Sequence, residues 1–445
     1  MGFSLGVDIG TTKIACIVVN NENKEIQFVK SIDHNAGIKC VDGYFEQKGE
    51  ILINKIVEIM DCCNKEIRDK VTSIGVSGQM HGVIEWDKNG TSSNLITWQD
   101  QRASIKGKLF EIQKIKGCEE LKNGFAFTTL KILNDENKLK NYDYCGTIHD
   151  YFVWMLTGKL YIDQTNAASW GLYDIKNSKF NEDAIKRLGI PLNILPKIVK
   201  CGSKAGELSE EWSRKLSLRE GIPVMVAIGD NQASIVGTSE SLSEDECFIT
   251  IGTSTQMSII ISKHKALSLK LKPSFEIRPF VNDKFIAVTA LMCGGQSWAF
   301  LKDTIKNWFN EFEINSITDD LIYQKIDQLA MNEIDSNDLP IIDPHFLGER
   351  WDESTLSTFS NINLYNFSLG KVAAAMALGI IRNLKSNFPE ECFEMCKTIF
   401  ANGNAVRKNQ SLQKAIFKVF GLFPKIKDGI EEAAYGAAIL SNNLV

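Results

Sequence analysis

Two distant stretches of the chain share one pattern, in which two apolar runs flank a short turn of glycine and hydroxyl residues. The first reads GVDIGTTK over residues 6–13 and continues into an apolar run at 14–19. The second reads FITIGTSTQ over residues 248–256 and continues into an apolar run at 257–261. Each stretch predicts a β-hairpin with a tight turn. Two such hairpins so far apart predict that each one opens an α/β domain of its own.

The rest of the chain alternates short apolar strands with amphipathic helices, as in layered α/β proteins. Further strands are predicted at 25–30, 73–76, 83–86, 224–228 and 398–401, and helices at 51–69, 369–384, 412–420 and 433–440. The polar stretch at 239–246 predicts a boundary, so the expected domains are residues 1–240 and 241–445.

Composition and charge narrow the class of protein. The 445 residues are 44% hydrophobic and 24% charged, which is typical of a folded chain with a full core. The formal net charge of -5 gives no reason to expect nucleic acid or an anionic membrane as a partner. No apolar run is long enough to suggest a membrane span, and no leader pattern precedes the first strand.

The number and spacing of the cysteines indicate the redox state of the cellular compartment. There are eleven of them with no CxxC pair, and only five histidines accompany them. This pattern favours reduced thiols over zinc ligands or a disulfide framework, so we expect a cytoplasmic protein.

The turn of the first hairpin has the composition of a phosphate site. Glycine at 10 lets backbone N–H groups approach a phosphate closely, and Thr11 and Thr12 add hydroxyl groups. Asp8 would repel a bare phosphate, so its position makes sense if Mg²⁺ lies between them. The alternative is an ordinary hairpin with a capping aspartate, but the second copy of the turn favours phosphate. Neither a P-loop nor a GxGxxG motif occurs in these stretches.

Asp230 is the second carboxylate that the pattern singles out. The apolar run 224–228 leads into Gly229 and Asp230, where a strand is predicted to end and a helix to begin. Reactive groups of α/β layers gather at such strand ends. A carboxylate there can accept the proton of an attacking hydroxyl, and the helix N-terminus is expected to keep Asp230 ionised. The alternative is a plain helix-capping aspartate.

Several polar loops have the chemistry of a carbohydrate site, which needs fixed hydrogen-bonding groups and an aromatic face. They are the loop with Met80 and His81, the stretch 97–102 with Trp98 and Asp100, and the stretches 146–150 and 163–170. Each of them, taken alone, is better explained as a polar loop or a helix cap. The turns at 294–296 and 402–404 suit a flat base lying on the backbone, or they are ordinary turns.

Taken together, the motifs resemble those of the FGGY carbohydrate kinases, whose fold is that of the actin, hexokinase and Hsp70 ATPases. The resemblance runs in order along essentially the whole chain. Its motifs are DIGTTK at 8, SGQMHG at 77, WQDQR at 98, GDNQAS at 229, IGTST at 251, GGQSWAFLKD at 294, FLGER at 346 and EEAAYGAAIL at 431. It implies two ribonuclease-H-like α/β domains that face a central cleft.

The resemblance also implies roles for individual positions, with sugar and the first phosphate loop in the N-terminal domain and nucleotide in the C-terminal one. Asp230 matches the family's catalytic base, and Asp8 matches the carboxylate that helps to hold Mg²⁺. The phosphate loops are matched by Thr11, Thr12 and Lys13 and by Gly252, Thr253 and Ser254. The sugar pocket is matched by Met80, His81, Trp98, Asp100, Asp230 and Asn231, and the adenine nucleotide site by Gly295 and Gly403. One departure is Ala401 in the adenosine loop, where the family usually has a glycine.

The implied activity is transfer of phosphate from ATP to the terminal hydroxyl of a ketose, by a monomer or a homodimer. The stretches TWQDQR, GTIHDY, DQTNAASWG and FLGER most resemble the sedoheptulokinase branch, which implies sedoheptulose as substrate. The SGQMHG loop is shared with xylulokinases, so a xylulokinase or another FGGY ketose or polyol kinase is the alternative. A non-enzymatic actin-like or Hsp70-like nucleotide switch is more remote, because it leaves the sugar-type loops without a role.

Overall fold

The computed structural model describes residues 2–270, 272–314, 317–349, 352, 354–427 and 430–443. The chain forms two compact units. The first comprises Met1–Thr238, Arg278–Asp283 and Ile430–Val445, and the second comprises Ser239–Ile277 and Lys284–Gly429. Among the described residues, no helix has the length and apolar character that crossing a bilayer requires.

The first unit contains sixteen strands and eleven helices within its described residues. The strands are β1 (Phe3–Ile9), β2 (Lys13–Asn20), β3 (Ile26–Asp33), β4 (Gly37–Ile38), β5 (Glu46–Lys48), β6 (Val71–Gly78), β7 (Ile84–Trp86), β8 (Asn94–Ile96), β9 (Tyr144–Gly146), β10 (Tyr161–Asp163), β11 (Tyr173–Asp174), β12 (Lys179–Phe180), β13 (Lys197–Val199), β14 (Lys204–Glu207), β15 (Pro223–Met225) and β16 (Ile228–Gly229). The helices are α1 (Gly49–Asp61), α2 (Lys65–Arg68), α3 (Arg102–Ile105), α4 (Leu109–Gln113), α5 (Ala126–Asp135), α6 (Ile148–Thr157), α7 (Gln164–Ser169), α8 (Glu182–Arg187), α9 (Glu210–Leu216) and α10 (Asp230–Thr238), with the helix Glu432–Asn442 at the end of the chain.

The second unit is smaller. Its strands are β17 (Glu246–Ile251), β18 (Thr255–Ile261), β19 (Glu276–Pro279), β20 (Phe285–Leu291), β21 (Ile341–Asp343), β22 (Thr358–Ser360), β23 (Thr398–Asn402) and β24 (Pro424–Ile426). Its helices are α11 (Lys263–Ser268), α12 (Gly295–Glu311), α13 (Asp319–Glu333), α14 (Leu369–Ser386), α15 (Asn404–Lys408) and α16 (Gln410–Phe420), so the C-terminal helix Glu432–Asn442 is α17.

The main sheets of the two units share a core of five strands in the same order, β3-β2-β1-β6-β15 in the first unit and β20-β18-β17-β23-β24 in the second. In the first unit the strand order is β14-β15-β6-β1-β2-β3, and β16 also pairs with β6. In the second unit the order is β19-β20-β18-β17-β23-β24. Each predicted hairpin forms, because β1 pairs antiparallel with β2, and β17 pairs antiparallel with β18. On its other side each first strand has a parallel neighbour, β6 or β23.

The C-terminal helix α17 packs on the sheet of the first unit, which differs from the predicted division into residues 1–240 and 241–445. The cause is the size of the facing side chains. A Cβ atom at Gly6 would lie 1.9 Å from the carbonyl oxygen of Ala434, and one at Gly75 would lie 2.0 Å from that of Ala437. Only glycine on the strands and small residues on the helix allow such a close approach.

Two predicted elements are interrupted. The helix predicted at 51–69 ends at Asp61, and the short helix α2 follows it. The strand predicted at 224–228 is split into β15 and β16. Between these two strands, the N–H group of Val226 donates to the carbonyl of Ser203, and the carbonyl of Ala227 accepts from the side chain of Asn166. These bonds replace the ladder that an unbroken strand would make.

Candidate active site

Asp8 lies near the end of β1, directly opposite Ser77 on the parallel strand β6. The Ser77 hydroxyl donates a hydrogen bond of 2.8 Å to Oδ1 of Asp8. Burial raises the pKa of the Asp8 carboxyl to about 6 in spite of this bond, and the negative charge of Glu431 raises it further. The site therefore holds a carboxylate whose negative charge is only partly compensated.

The turn after Asp8 is closed by a hydrogen bond of 3.0 Å from the Gly10 N–H to the Lys13 carbonyl. The indole Nε1 of Trp98 donates to Oγ1 of Thr11 at 3.0 Å, so the predicted phosphate turn and sugar loop are in contact. Thr12 and Lys13 are exposed. The Lys13 ammonium pairs with Glu431 at 2.7 Å.

Asp230 is the first residue of α10, and the Asn231 N–H donates to its Oδ1 at 2.7 Å. Burial raises the pKa of Asp230 to about 7, the nearby charge of Asp8 raises it further, and the positive charge of Arg278 opposes both. Burial and a second carboxylate thus act against the helix N-terminus, which was expected to keep Asp230 ionised.

Arg278 is a charged neighbour of Asp230 that the sequence does not reveal, because nothing in its surroundings forms a motif. Its segment, Arg278–Asp283, belongs to the first unit although it is separated in the sequence from the rest of that unit. The side-chain amide of Gln232, on the first turn of α10, donates to the carbonyl of Pro279 at 3.4 Å. A positive charge so close to Asp230 is a product of the fold alone.

The predicted sugar loop with Met80 and His81 lies against the strand that leads to Asp230. Met80 is buried, and a Cβ atom at Gly229 would be 2.6 Å from its methyl carbon. His81 has a positive φ of 70° and stacks on the ring of Phe125 with 4.9 Å between the ring centroids. Its Nδ1 lies 2.7 Å from the carbonyl oxygen of Ser169. Because a carbonyl only accepts, Nδ1 carries the proton.

Trp98 and Asp100 differ in what they can offer to a ligand. The Trp98 side chain is 38% exposed, as an aromatic platform needs to be. Asp100 is buried, and its two oxygens accept four hydrogen bonds, three from Arg102 and one from the Phe45 N–H. A direct contact between Asp100 and sugar stays a prediction, and it would have to replace one of these bonds.

The stretches 146–150 and 163–170 are helix caps, which was the alternative explanation of their polar residues. Thr147 and Asp150 form a capping box at the start of α6, and Asp163 caps α7 by accepting from the Asn166 N–H. The side chains of Asp150, Asp163 and Asn166 are all buried. These stretches therefore support the first unit's site from behind.

In the second unit, the three predicted nucleotide turns meet. The Gly295 N–H donates to the carbonyl of Gly252 at 2.7 Å, and the Gln296 N–H donates to that of Thr253 at 3.0 Å. Gly403 has a φ of 98°, and a Cβ atom there would be 2.4 Å from the carbonyl of Ile251. Thr253 and Ser254 are exposed at the hairpin tip. The turns thus form one surface of bare backbone and hydroxyl groups.

The departure at Ala401 does not fall on this surface. Ala401 lies inside β23, opposite Ile249, and it is buried. Its methyl group is packed within the sheet, so of these two residues only Gly403 lies in the turn that follows β23. Arg350, the last residue of the FLGER motif, lies outside the described residues.

The first unit therefore brings together two carboxylates of raised pKa, a hydroxyl-bearing turn and an exposed indole. A carboxyl of pKa near 7 can exchange a proton with a substrate at neutral pH. Among the described residues there is no group of three or more His, Cys, Asp or Glu that could by itself hold a metal ion. A Mg²⁺ ion does not need one, because it binds through one or two carboxylates together with phosphates and water.

Comparison with known proteins agrees with this chemistry. Residues 3–237 match the profile described as the FGGY family of carbohydrate kinases, N-terminal domain. The sedoheptulokinase of Mus musculus is 28% identical, over 98% of this chain and 96% of its own length. The xylulose kinase of Staphylococcus xylosus is 25% identical, over 99% of this chain and 90% of its own length. The structure of Plasmodium falciparum glycerol kinase with ADP is 20% identical and covers 99% of this chain and 89% of its own, at a TM-score of 0.80.

Proposed function

Because this chain belongs to the FGGY family of carbohydrate kinases, we propose that it transfers the γ-phosphoryl group of ATP to the terminal hydroxyl of a ketose. The ketose we propose is sedoheptulose, and the product is sedoheptulose 7-phosphate. The observation that carries the proposal is the placement of Asp8 and Asp230 near each other beside the sugar-type loops. Burial, and after it the charge of Asp8, raises the pKa of Asp230 to about 7. The eleven free cysteines support a reaction in the reducing cytosol.

Asp230 acts as the general base. The proton of the sugar hydroxyl passes to its carboxylate while the hydroxyl oxygen forms a bond to the γ-phosphorus. The bond from that phosphorus to the bridging oxygen breaks, and ADP leaves. A base with a pKa near neutrality is well matched to this transfer, since it is partly ionised and still basic.

Asp8 is the residue we assign to Mg²⁺. One of its oxygens accepts a hydrogen bond from the Ser77 hydroxyl. The pKa of the carboxyl is raised because its negative charge is buried, and a divalent cation would neutralise that charge. When bound, the ion supplies charge neutralisation of the phosphate oxygens. Thr11 and Thr12 offer hydroxyl and backbone groups to the same phosphates, and Lys13 would exchange its bond with Glu431 for a phosphate oxygen.

The second unit supplies the nucleotide surface in this proposal. Thr253 and Ser254 are exposed donors for phosphate oxygens, and Gly252 precedes them in the hairpin tip. Gly295 and Gly403 leave bare backbone on which an adenine nucleotide can lie.

Sugar binding is assigned to the first unit. Trp98 presents an exposed indole face, and the amide of Asn231 follows the base directly. Met80 and His81 form the loop that packs on Gly229, and His81 offers its Nε2 as an acceptor because Nδ1 is protonated. Asp100 holds the Trp98 loop in place through Arg102.

The experiment is a panel of ketoses and polyols with MgATP, scored by kcat/KM for ADP release. We expect sedoheptulose to rank first, and xylulose ranking first would transfer the assignment to a xylulokinase. Turnover that does not depend on any sugar would support a nucleotide switch and overturn the proposal.

Replacement of the base gives the second test. Asp230→Asn is expected to lower kcat by about 10²- to 10⁴-fold, the usual contribution of a general base. Asp183→Asn is the matched control, because Asp183 also lies in the first turn of a helix and is exposed. Residual activity of Asp230→Asn within tenfold of that control would mean that another group takes the proton.

A further inference from the structure

Helix α7 (Gln164–Ser169) contacts both halves of the proposed sugar site from behind. It is a short helix, and of its side chains Thr165, Asn166 and Ser169 are buried. None of the three has a part in the reaction described above. Each of them, however, is hydrogen-bonded either to the strand segment that leads to Asp230 or to His81 itself.

The N-terminal end of α7 is hydrogen-bonded to Gly229, the residue that precedes the proposed base Asp230. The Gly229 N–H donates to Oγ1 of Thr165 at 3.0 Å, and the Thr165 hydroxyl donates to Oδ1 of Asp163 at 2.7 Å. The direction of this chain is fixed, because an N–H group only donates and a hydroxyl has one proton. Removal of the hydroxyl would therefore leave the Gly229 N–H without its acceptor in a buried place.

Asn166 adds a second tie to the same strand. Its side-chain amide donates to the carbonyl of Ala227 at 3.1 Å. Ala227 and Gly229 are thus both held by α7, one through its carbonyl and one through its N–H group. These ties lie at the break between β15 and β16, where ladder bonds are few, and Asp230 follows directly.

The C-terminal end of α7 is hydrogen-bonded to His81 in the proposed sugar loop. Oγ of Ser169 accepts from the His81 N–H at 3.2 Å and donates to the carbonyl of Asn166 at 2.7 Å. The carbonyl of Ser169 accepts from His81 Nδ1 at 2.7 Å. His81 has a positive φ, which costs about 1 kcal/mol or more for a residue with a side chain. The bonds to Ser169 stabilise this conformation.

We infer that α7 is a positioning element that sets the general base and the sugar loop relative to each other. Thr165 positions Asp230 through Gly229, and Ser169 positions His81. The inference rests on the proposed function, since it assigns a role to side chains behind that site. It predicts that the two ends of one short helix affect different kinetic constants.

The test compares Thr165→Val with Thr165→Ser and Ser169→Ala, using MgATP and the best sugar of the panel. Thr165→Val keeps the shape and loses the hydroxyl, so kcat should fall about 10- to 100-fold through misplacement of the base. The sugar KM should change less than about twofold, because His81 keeps its own hydrogen bonds to Ser169 in this variant. Thr165→Ser keeps the hydroxyl and should restore kcat.

Ser169→Ala should show the opposite split. The sugar KM should rise about fivefold, as expected for one lost hydrogen bond, and kcat should change less. Thr157→Val is the control, because Thr157 lies on α6 and its hydroxyl is likewise bonded within the protein, to the carbonyl of Val153 at 2.8 Å.

Three results would overturn the inference: a kcat of Thr165→Val equal to that of Thr157→Val, a Thr165→Ser protein as slow as Thr165→Val, or an unchanged sugar KM in Ser169→Ala. If Thr165→Val does not fold, Ser169→Ala decides. The proposed function fails separately, since an active Asp230→Asn enzyme overturns the base whatever α7 does. An inactive Asp230→Asn enzyme with a normal Thr165→Val enzyme overturns only the role of α7.

Discussion

The two glycine and hydroxyl hairpins share a backbone and differ in charge. Asp8 on β1 lies opposite Ser77 on β6, and Thr250 on β17 lies opposite Asn402 on β23. A side-chain hydrogen bond joins each pair, at 2.8 Å in the first unit and 2.6 Å in the second. The same position of the same scaffold is thus a carboxylate in one unit and a hydroxyl in the other.

This difference shows how one scaffold can present two kinds of surface. In the first hairpin, burial of a charged group raises the pKa of Asp8 to about 6, so the site favours a cation. In the second hairpin the matching pair is neutral, and the turn offers only hydrogen bonds. The first is suited to metal and proton chemistry, and the second to holding a nucleotide by its backbone.

The largest expected effect comes from removing the carboxylate of Asp8, the group that distinguishes the first hairpin from the second. Asp8→Asn should lower kcat by about 10²- to 10³-fold at saturating ATP and raise the Mg²⁺ requirement, because phosphate charge is then poorly neutralised. Thr250→Val is the matched change in the second hairpin and should change kcat less than about tenfold, since it removes one hydrogen bond. The measurement is kcat of both variants over a titration of Mg²⁺. Equal losses of kcat in Asp8→Asn and Thr250→Val would contradict the proposed difference between the hairpins.

The second prediction concerns the glycines that follow the paired strands. Gly403→Ala should destabilise the protein by about 1–3 kcal/mol, because its φ of 98° is strained for any side chain. Gly78, the last residue of β6, is the counterpart. A Cβ atom there would be 2.6 Å from Nδ1 of the buried His149 and 3.0 Å from the Ile9 carbonyl, compared with 2.4 Å from the Ile251 carbonyl at Gly403. Thermal unfolding measures the loss of stability. Initial-rate kinetics should in addition show a raised KM for ATP in Gly403→Ala and not in Gly78→Ala. Equal ATP constants for both variants would argue against a nucleotide surface there.

The third prediction is a pH effect that depends on Asp230, at the start of α10 in the same unit as the charged hairpin. The base must be ionised, so kcat/KM should fall as the pH drops through the pKa of Asp230, which is about 7 in the free enzyme. Arg278 lowers this pKa, and Arg278→Gln should therefore move the acid limb of the profile to higher pH by a fraction of a unit. Arg219→Gln, at an exposed arginine bonded to the Val71 carbonyl, should leave the limb in place. A shift to lower pH in Arg278→Gln would contradict the assignment.

The smallest expected effect concerns the indole that braces the first turn. Trp98→Phe keeps an aromatic face and removes the donor to Thr11, so the sugar KM should rise about three- to tenfold. The KM for ATP should change less than about twofold in the same assay. A larger effect on ATP than on sugar would mean that Trp98 serves the phosphate turn and not the sugar.

Much of the fold could be predicted from local pattern. Strand alternation and glycine turns are properties of short segments, so both hairpins and the helix at 369–384 were accessible from the sequence, as was the carboxylate of Asp8 beside the first turn. The break between β15 and β16 was not accessible, because its cause is Asn166, which is distant in the chain. The polar stretch at 163–170 is equally suited to a ligand and to a cap until its burial is known.

The sequence by itself determined the two hairpins, the identity of Asp8 and Asp230 and, through its motifs, the family. Only the tertiary structure decided the state of these groups. The raised pKa of Asp230, the neighbouring charge of Arg278 and the ties from Thr165 and Ser169 depend on which distant segments meet. The physical reason is that hydrogen-bond patterns of strands and turns are local, whereas desolvation and Coulomb interaction depend on distances between residues far apart in the chain.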